Sequence, residues 1–582
     1  MWALSPSGFT MKTLAVVGAR LNSSRLPRKH LMPLAGRSLI QRVVERLRHC
    51  KKIDQIVVAT SKDNENQDLV THLRKNQIDV FVYPGNVNAL VARIDNAVQH
   101  YSCDYLVYIC GDCPLIDPAF IDHALNSLQK KPSADTVELR PGVQSLHEGM
   151  HFYSASGWAQ LVAMSTSEAS QEHVGYANRI HAVLNTEYID DVHDFSHLKQ
   201  RISVDTPADY TFMLAIYQRW YAHQPPTTLV DLCWVQDHVL SNPTLALINH
   251  HVVQKRPDKR YANIAIFCHA SERIGLGHLR RCALIAKYMQ EHCAYGTHIF
   301  ARADATELPW LDTPHTFLKD DGNILELANT CQAALVVLDF HPEFIAQDVL
   351  TEFCQKWRAR GISIIGIDKL GALIDELDHL FVPSFYSALQ HAKVSYGWDH
   401  YLLSPPADDA PIVPAKTQIL ICTGGSDALN FGANLPAILE NCVPADYELV
   451  WVQGPYAKPP ELPTAMRWQL ITNPKNISEL MRQSHFCISV YGISFFEALF
   501  YCGQVVLLPS AALYTPEELN TLKKEHVCLI CEHSSDINQH VTSLLSDPEL
   551  RTTLKQNTQQ RLHGVRGLEV LASTIQALVR KN

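Results

Sequence analysis

Residues 14–31, LAVVGARLNSSRLPRKHL, decide the fold of the first part of the chain. The segment begins with a short apolar run, residues 14–17, that has the length and composition of a buried β-strand. Gly18 and Ala19 then allow a close backbone turn into a loop of small, hydroxyl-bearing and cationic side chains. Because ligands in open α/β sheets bind at the carboxyl ends of strands, this position favours a nucleotide-binding loop over a solvated basic loop.

The loop carries the groups that a triphosphate requires. Four cations lie within ten residues, with hydroxyl and amide side chains between them. These residues are Arg20, Asn22, Ser23, Ser24, Arg25, Arg28 and Lys29. Guanidinium and ammonium groups bind phosphate oxygens through charge-assisted hydrogen bonds. The composition of the loop therefore predicts a triphosphate site.

Strand-like and helical runs alternate after this loop. The strand-like runs occupy residues 55–59, 80–83 and 105–110, and helical patterns occupy residues 38–50 and 89–101. This order predicts a largely parallel, doubly wound α/β sheet.

Two aspartates follow short strands that are distant in sequence. Asp112 lies in GDCPLID, at the carboxyl end of a buried strand, and Asp205 lies in RISVDTPADY. Magnesium prefers hard oxygen donors and keeps several waters, so one or two carboxylates with phosphate oxygens suffice as ligands. We predict Asp112 as a metal ligand. For both aspartates the alternative is an N-cap, of helices that begin near residues 118 and 207.

The first 242 residues resemble the cytidylyltransferases that activate nonulosonic acids and related sugars, especially the spore-coat polysaccharide branch. The likeness rests on ARLNSSRLPRKHLMPLAGRSLIQRVVERL, GDCPLIDP and VDTP. Asn22 and Arg28 stand where that family has glycine. The resemblance implies attack by a sugar-acid hydroxyl on the α-phosphorus of CTP, with pyrophosphate as the leaving group.

The same resemblance implies roles for the residues of the site. The implied CTP-binding residues are Arg20, Ser23, Arg25 and Lys29. Arg20 and Lys29 are the implied catalytic residues, since catalysis of this kind depends on neutralising the leaving phosphates. Asp112 and Asp205 are the implied Mg²⁺ ligands.

A second α/β pattern begins with NIAIFC, residues 263–268. The next segment, HASERIGLGHLRRCALIAKYM, places Gly275, Gly277 and His278 in a glycine-rich turn immediately before an apolar-periodic helix. A histidine at a helix N-terminus, on the ligand edge of a sheet, is positioned to act as a base near neutral pH.

Two further glycine turns each follow a strand and precede a helix, in QILICTGGSDALN and SVYGISFFEAL. Their residues are Gly424, Gly425, Ser426, Gly492, Ile493 and Ser494. Successive backbone N–H groups in such turns form nests for a diphosphate, and the alternative is an ordinary strand-to-helix connection.

Most of the second half resembles the UDP-sugar hydrolase of the pseudaminic acid pathway, which has a two-lobed GT-B fold. The likeness includes G-x-G-H-x-x-R-C and implies that His278 activates the water that displaces UDP, that the nests bind UDP, and that Glu497 holds the ribose hydroxyls. His269, Phe340 and Tyr491 replace an acid, a tyrosine and a glycine of that family. A glycosyltransferase, or a degenerate nucleotide-sugar-binding regulatory module, is the alternative.

Composition limits the class of protein. With 582 residues, 47% of them hydrophobic, the chain is long enough for several cores. A net charge of −9 argues against a nucleic-acid-binding protein or a polybasic membrane anchor. Sixteen cysteines lie singly, which favours a reducing cytoplasm. No apolar run reaches the roughly 18 to 20 residues of a membrane span.

We therefore predict a bifunctional α/β protein in three domains. A cytidylyltransferase-like, GT-A-like domain with a doubly wound mixed sheet covers residues 11–242, and two GT-B-like lobes cover residues 260–404 and 417–582. Residues 405–416 are the predicted proline-rich linker. The expected ligands are CTP, a sugar acid, a UDP-sugar and Mg²⁺, and the resemblance of the first domain implies a homodimer. Met11 directly precedes the first strand and is the alternative start of the protein.

Overall fold

The computed structural model divides the chain into two compact units, residues 1–261 and 262–582. It describes residues 11–580, except 142, 144–145, 199, 256–258, 260, 272–275, 304–307, 309, 331, 404–416, 455, 464–466, 473, 475–476 and 563. The predicted linker and Gly275 of the second glycine-rich turn therefore lie outside the described residues.

The first unit contains nine strands and ten α-helices in its described part. The strands are β1 (Thr13–Gly18), β2 (Pro33–Leu34), β3 (Arg37–Ser38), β4 (Gln55–Ser61), β5 (Val80–Tyr83), β6 (Tyr105–Cys110), β7 (Thr136–Leu139), β8 (Met150–Ser154) and β9 (Thr186–Ile189). The helices are α1 (Leu39–Leu47), α2 (Gln67–Lys75), α3 (Leu90–Tyr101), α4 (Pro118–Lys130), α5 (Ala155–Met164), α6 (Glu168–Glu172), α7 (Tyr176–His181), α8 (Pro207–Tyr221), α9 (Leu232–Leu240) and α10 (Pro243–Leu247).

Seven of these strands form one mixed sheet, in the order β5-β4-β1-β6-β8-β7-β9. The first four strands are mutually parallel, and β8 runs antiparallel to both β6 and β7. Gly18 pairs with Ala59 on one side and Cys110 on the other, so the carboxyl ends of β1, β4 and β6 are level. This register places the loops after β1 and β6 side by side.

Apolar cores cover both faces of the sheet, as a doubly wound fold requires. In β1, Ala15 and Val17 face the core formed with α1, α4 and α8, while Leu14 and Val16 face the core formed with α3 and α5. All four side chains are fully buried, which explains why this strand reads as a continuous apolar run. The predicted α/β class and mixed sheet are confirmed for this unit.

The first unit continues beyond Asn242, the predicted end of the first domain, to Tyr261. Leu245 of α10 and Val252 are buried. Asn249, 1% exposed, donates hydrogen bonds to the Arg201 carbonyl and to Asp209 Oδ1, each over 3.1 Å. Residues 243–255 therefore pack as part of this unit, because a few apolar side chains and one amide within a polar segment find buried partners.

The second unit contains two separate parallel sheets. Its strands are β10 (Asn263–Ala270), β11 (Gly296–Ala303), β12 (His315–Leu318), β13 (Leu335–Asp339), β14 (Ser363–Ile367), β15 (His379–Phe381), β16 (Val394–Ser395), β17 (Gln418–Cys422), β18 (Glu448–Gln453), β19 (Trp468–Thr472), β20 (Phe486–Ser489), β21 (Val505–Leu507) and β22 (Leu529–Ile530). Its helices are α11 (Gly277–His292), α12 (Asp321–Thr330), α13 (Gln347–Ala359), α14 (Leu435–Cys442), α15 (Ile477–Gln483), α16 (Ile493–Tyr501), α17 (Pro516–Glu525), α18 (Asp536–Ser546), α19 (Pro548–Leu562) and α20 (Gly567–Val579).

The strand orders are β12-β11-β10-β13-β14-β15-β16 and β19-β18-β17-β20-β21-β22. In each sheet the order reverses beside the first strand of the lobe, β10 or β17, and such switch points are where open α/β sheets bind ligands. The last helix, α20, packs into the core of the first lobe beside α11. Two parallel α/β lobes agree with the predicted GT-B-like class, and among the described helices none has both the length and the apolarity to cross a bilayer.

Candidate active sites

The loop after β1 and the two aspartates come together at the carboxyl edge of the first sheet. Lys29 Nζ lies 2.6 Å from Asp112 Oδ2 and 2.9 Å from Asp205 Oδ1. Arg25 Nη2 lies 3.0 Å from the other oxygen, Asp205 Oδ2. Two carboxylates that are distant in sequence thus meet around one ammonium group.

Backbone contacts explain this convergence. The Gly111 N–H donates to the Gly18 carbonyl over 2.9 Å, and the Val204 N–H donates to the Asp112 carbonyl over 2.8 Å. A Cβ at position 111 would lie 2.7 Å from the Gly18 carbonyl oxygen, so only glycine allows this approach. The first contact ties the GDCPLID segment to β1, and the second brings Asp205 to Asp112.

Other residues occupy the N-cap positions that were the alternative for the two aspartates. Asp117 accepts hydrogen bonds from two N–H groups at the start of α4. Thr206 and Asp209 form a capping box at the start of α8. Neither Asp112 nor Asp205 is therefore needed to cap these helices, and both carboxylates belong to the candidate site.

The charges of the site are strongly coupled. Burial opposes ionisation of Asp205, but Lys29, Arg25 and Arg201 outweigh it and hold the pKa of this carboxyl well below its usual range. Burial likewise opposes the charge of Lys29, but Asp112 and Asp205 raise the pKa of its ammonium above the ordinary value. Asp205 and Lys29 are thus both ionised in the same cluster.

The carboxylate pair fits a magnesium ion. The side chains of Asp112 and Asp205 are 21% and 24% exposed and already share a cation, so their oxygens converge and are accessible. No group of three or more histidine, cysteine or acidic side chains in the described ranges has metal-binding geometry. Two carboxylates completed by phosphate oxygens and waters are therefore the ligand set that these residues offer. The metal itself stays a prediction.

Arg20 and Ser23 lie apart from the aspartate pair. Arg20 Nη1 donates to Asn88 Oδ1 over 2.7 Å, and Arg20 Nη2 lies 3.7 Å from Glu172 Oε1. Ser23 Oγ accepts a hydrogen bond from the Leu26 N–H over 3.3 Å, which shapes the loop. Of the four predicted CTP-binding residues, Arg25 and Lys29 are thus beside the carboxylates, and Arg20 faces α6.

Sequence reasoning missed two arginines near this site, one buried and one half-buried. Arg201 Nη2 donates to Asp205 Oδ2 over 2.7 Å, and the only sequence signal was a cation four residues before the aspartate. Arg93 of α3 is 4% exposed, and its Nε and Nη1 have no hydrogen-bond partner among the described residues. Burial lowers the pKa of Arg93 to about 10. An arginine within an apolar helix stripe was the available signal.

In the second unit, His278 pairs with the aspartate that ends β13. His278 Nδ1 lies 2.7 Å from Asp339 Oδ1, and Asp339 is fully buried. Arg281, the arginine of the G-x-G-H-x-x-R-C motif, donates to both oxygens of this carboxylate over 2.8 and 2.6 Å. Burial opposes ionisation, but Arg281 and His278 outweigh it and keep the pKa of Asp339 well below its usual range.

An ionised Asp339 determines the proton position on His278. A carboxylate is only an acceptor, so His278 Nδ1 donates to it and Nε2 is left as the proton acceptor. Within the described residues, Nε2 has no hydrogen-bond partner, and the side chain is 15% exposed. This arrangement can take a proton from a water or a hydroxyl group.

The helix starts of the two lobes face one another. A Cβ at Gly277, the first residue of α11, would lie 3.3 Å from Ile493 Cδ1 at the start of α16. Burial raises the pKa of Glu497 to about 7, and the nearby Arg280 of α11 opposes this shift. The starts of α11 and α16, which carry predicted site residues of the two lobes, therefore lie close together.

The glycine turns of the second lobe have the backbone geometry of ligand loops. Gly424 and Gly492 have φ values of +89° and +147°, which favour glycine. Gly425 contacts Gly454 so closely that a Cβ on Gly454 would lie 2.3 Å from the Gly425 carbonyl oxygen. Ser426 follows the first turn and Ser494 lies in the first turn of α16. Their role in binding UDP stays a prediction.

The three departures from the hydrolase pattern are accommodated inside the second unit. Burial lowers the pKa of His269 to about 3, so this histidine is neutral where the family has an acid. Its ring makes an edge contact with Phe340 at 4.6 Å. Tyr491 donates a hydrogen bond to Glu518 over 2.8 Å. The fold therefore accommodates all three side chains, and of the three, His269 lies near enough to His278 for their charges to interact.

Comparison with known proteins supports the interpretation of the first unit. Residues 14–221 match the family model described as cytidylyltransferase. The spore coat polysaccharide biosynthesis protein SpsF of Bacillus subtilis is 26% identical over 211 residues, 35% of this chain and 86% of that protein. The 3-deoxy-manno-octulosonate cytidylyltransferase of Zea mays is 33% identical over 133 residues, 22% of this chain and 43% of that enzyme.

The chain is also similar in structure to a solved glycosyltransferase. The glycosyltransferase SnogD of Streptomyces nogalater superposes with a TM-score of 0.39 and 13% identity, over 55% of this chain and all of that structure.

Proposed function

We propose, on the premise that residues 14–221 form a cytidylyltransferase domain, that the first unit transfers a cytidylyl group from CTP to a sugar acid. The observation that carries this proposal is the convergence of Asp112 and Asp205 on Lys29, beside Arg25 of the same loop. One matched relative is named as a 3-deoxy-manno-octulosonate cytidylyltransferase, which supports a sugar-acid acceptor, and another is named for spore-coat polysaccharide biosynthesis, which supports a role in making surface sugars.

In this reaction a hydroxyl oxygen of the acceptor forms a bond to the α-phosphorus, and the bond between that phosphorus and the bridging oxygen breaks. The hydroxyl proton passes to solvent, and pyrophosphate leaves with the electron pair of the broken bond. Arg25 and Lys29 neutralise charge on the departing phosphates, since preorganised cations stabilise charge that develops in the transition state. Mg²⁺ held by Asp112 and Asp205 would supply Lewis-acid stabilisation of the phosphoryl oxygens.

Lys29 has a second role before CTP arrives. Its ammonium holds the two carboxylates together, and without it they would repel each other across a partly buried space. When a triphosphate binds, its oxygens provide new partners for Lys29 and release carboxylate oxygens for the metal. The same lysine therefore organises the site before CTP binds and neutralises phosphate charge afterwards.

The test is pyrophosphate release from CTP with Mg²⁺ and a panel of acids: 3-deoxy-manno-octulosonate, N-acetylneuraminate, legionaminate and pseudaminate. We expect release with at least one acid and CTP, and much slower release with UTP. No release with any acid, from a protein shown to be folded, would refute the proposal.

For the second unit we propose hydrolysis of a UDP-linked diacetamido-trideoxy sugar, which yields the free sugar and UDP. The His278–Asp339 pair supports it, because Nε2 can remove a proton from water as the oxygen attacks the anomeric carbon. The same pair could activate an acceptor hydroxyl, as a glycosyltransferase requires. UDP release without an acceptor supports hydrolysis, and release only with an acceptor supports glycosyl transfer.

Both activities belong to one type of biosynthesis, in which an amino sugar is freed from UDP and the sugar acid made from it is loaded onto CMP. We therefore propose a bifunctional protein of nonulosonic acid biosynthesis. A cytoplasmic location and a homodimer are part of this proposal.

A further inference from the structure

The segment after α10 lies against the nucleotide loop of the first unit. Arg25 Nη1 donates to the Val253 carbonyl over 3.4 Å. Val252 is buried, and Asn249 is held by the two hydrogen bonds described above. Residues 249–255 are therefore anchored beside the site, and the last of them is Lys255.

Lys255 is a half-buried cation among the charged groups of the site. The charges that act on it are those of Arg20, Arg25, Glu172 and Asp205. Its Nζ lies 5.8 Å from the centre of the Tyr261 ring, a cation–π contact that restrains the side chain. Burial lowers the pKa of His173, at the end of α6, and the positive charge of Lys255 adds to this effect.

Lys255 differs from the other cations near Asp205 in one respect. Lys29, Arg25 and Arg201 each form an ion pair with that carboxylate. In the part of the chain that the structure describes, Lys255 has no carboxylate within 4 Å. Burial and the neighbouring Arg25 lower the pKa of Lys255 to about 8. A desolvated ammonium without a close counter-ion gains more from a bound anion than a paired one does.

The sugar acid, like the triphosphate, carries a negative charge that a cation must balance. The triphosphate already has Arg25 and Lys29, whereas a sugar acid must bring its carboxylate towards Asp112 and Asp205, which repel it. A cation that forms no ion pair with either aspartate can relieve this repulsion. We propose that Lys255 binds the carboxylate of the sugar acid, an inference that rests on the proposed cytidylyl transfer.

The test separates the two substrates. In Lys255→Met we expect KM for the best sugar acid to rise about tenfold or more, the cost of one charged hydrogen bond, while KM for CTP and kcat change less than about threefold. Lys255→Arg should restore most of the loss, because it keeps the charge. Lys259→Met, an exposed lysine of the same segment, is the matched control and should behave like the unmodified protein.

Two kinetic results would overturn the assignment. One is an unchanged KM for the sugar acid in Lys255→Met. The other is a rise confined to KM for CTP, which would place the triphosphate at Lys255.

A second measurement does not depend on turnover. Trace labelling of the full chain with acetic anhydride at about pH 8, near the lowered pKa of Lys255, followed by peptide mass spectrometry, reports the accessibility of the Lys255 amine. We expect 3-deoxy-manno-octulosonate or a nonulosonic acid to protect Lys255 at least about threefold, and neutral mannose not to protect it. Protection without pyrophosphate release would refute the proposed transfer but retain the anion site, and no protection by any sugar acid would refute the anion site.

Discussion

The two units pair aspartates with cations in different ways. Asp112 and Asp205 share Lys29 and are each more than one-fifth exposed, whereas Asp339 is fully buried between His278 and Arg281. An accessible ion pair can exchange its partner when a charged ligand arrives. A buried one keeps its geometry, because breaking it leaves an uncompensated charge. The first arrangement therefore suits binding of a metal and phosphates, and the second fixes one tautomer of a base.

The largest effect should come from breaking the exchangeable pair. In Asp112→Asn, pyrophosphate release should fall about a thousandfold or more, because a metal ligand is lost where phosphoryl charge is neutralised. Asp117→Asn is the matched control, since Asp117 lies in the same segment but caps α4. Near-normal release from Asp112→Asn at saturating Mg²⁺ would contradict the metal assignment.

The second prediction concerns the buried His278–Asp339 pair of the second unit. In His278→Gln, UDP release from the UDP-sugar should fall about a hundredfold or more, as expected when a general base is removed. Asp339→Asn should lose a similar factor, because an amide in place of the carboxylate no longer fixes the proton on Nδ1. Pyrophosphate release by the first unit should stay unchanged in both variants. His292→Gln, at the other end of α11, is the control, and equal losses there would indicate a general effect on the helix.

Glu497 shows how the burial of an acidic side chain affects stability. Burial raises the pKa of Glu497 to about 7 in the folded protein, against an ordinary value of 4.5. The folded state thus favours the protonated acid, and this stabilisation is present at low pH and is lost as pH rises from about 4.5 through 7. Glu497→Gln should abolish this decrease in the free energy of unfolding, which amounts to about 2 kcal/mol after allowance for partial exposure of the side chain. Urea unfolding below and above this pH range measures it, and an unchanged pH dependence would argue against the shift.

The smallest expected effect concerns the loop itself. Arg28 has φ +60°, a left-handed conformation that costs a non-glycine residue about 1 kcal/mol, and it stands where the resembled family has glycine. Its exposed ion pair with Asp68 offsets little of this cost. Arg28→Gly should therefore raise stability by up to about 1 kcal/mol with little change in KM for CTP. A clear loss of CTP binding would instead make Arg28 a phosphate ligand.

The sequence predicted most accurately the strands that are buried on both faces. The bounds of β6 agree with the predicted run of residues 105–110, because a strand between two cores reads as uninterrupted apolar sequence. The antiparallel β8 was missed, since its residues mix aromatic and polar types and only its neighbours in the sheet decide its pairing.

The candidate sites were predictable where a motif held several chemical groups close together in sequence. The loop cations and both aspartates were found, and the structure brings Lys29, Arg25, Asp112 and Asp205 together. Arg201 and Lys255 were missed, because a single cation in a polar segment is indistinguishable from a solvated one until its partners are known. The role of Asp339 was missed for a similar reason: only its distance from His278 reveals it.

The anchoring of Asn249 has a practical consequence for anyone who divides this gene or exchanges its halves between species. A cut at the predicted domain end, residue 242, removes the Asn249 amide that donates to the Arg201 carbonyl and to the buried Asp209 carboxylate, and it removes Lys255 as well. Such a fragment should express poorly and show no activity because it lacks Asn249 and Lys255, and not because it lacks the second unit. A cut after Tyr261 keeps the first unit whole.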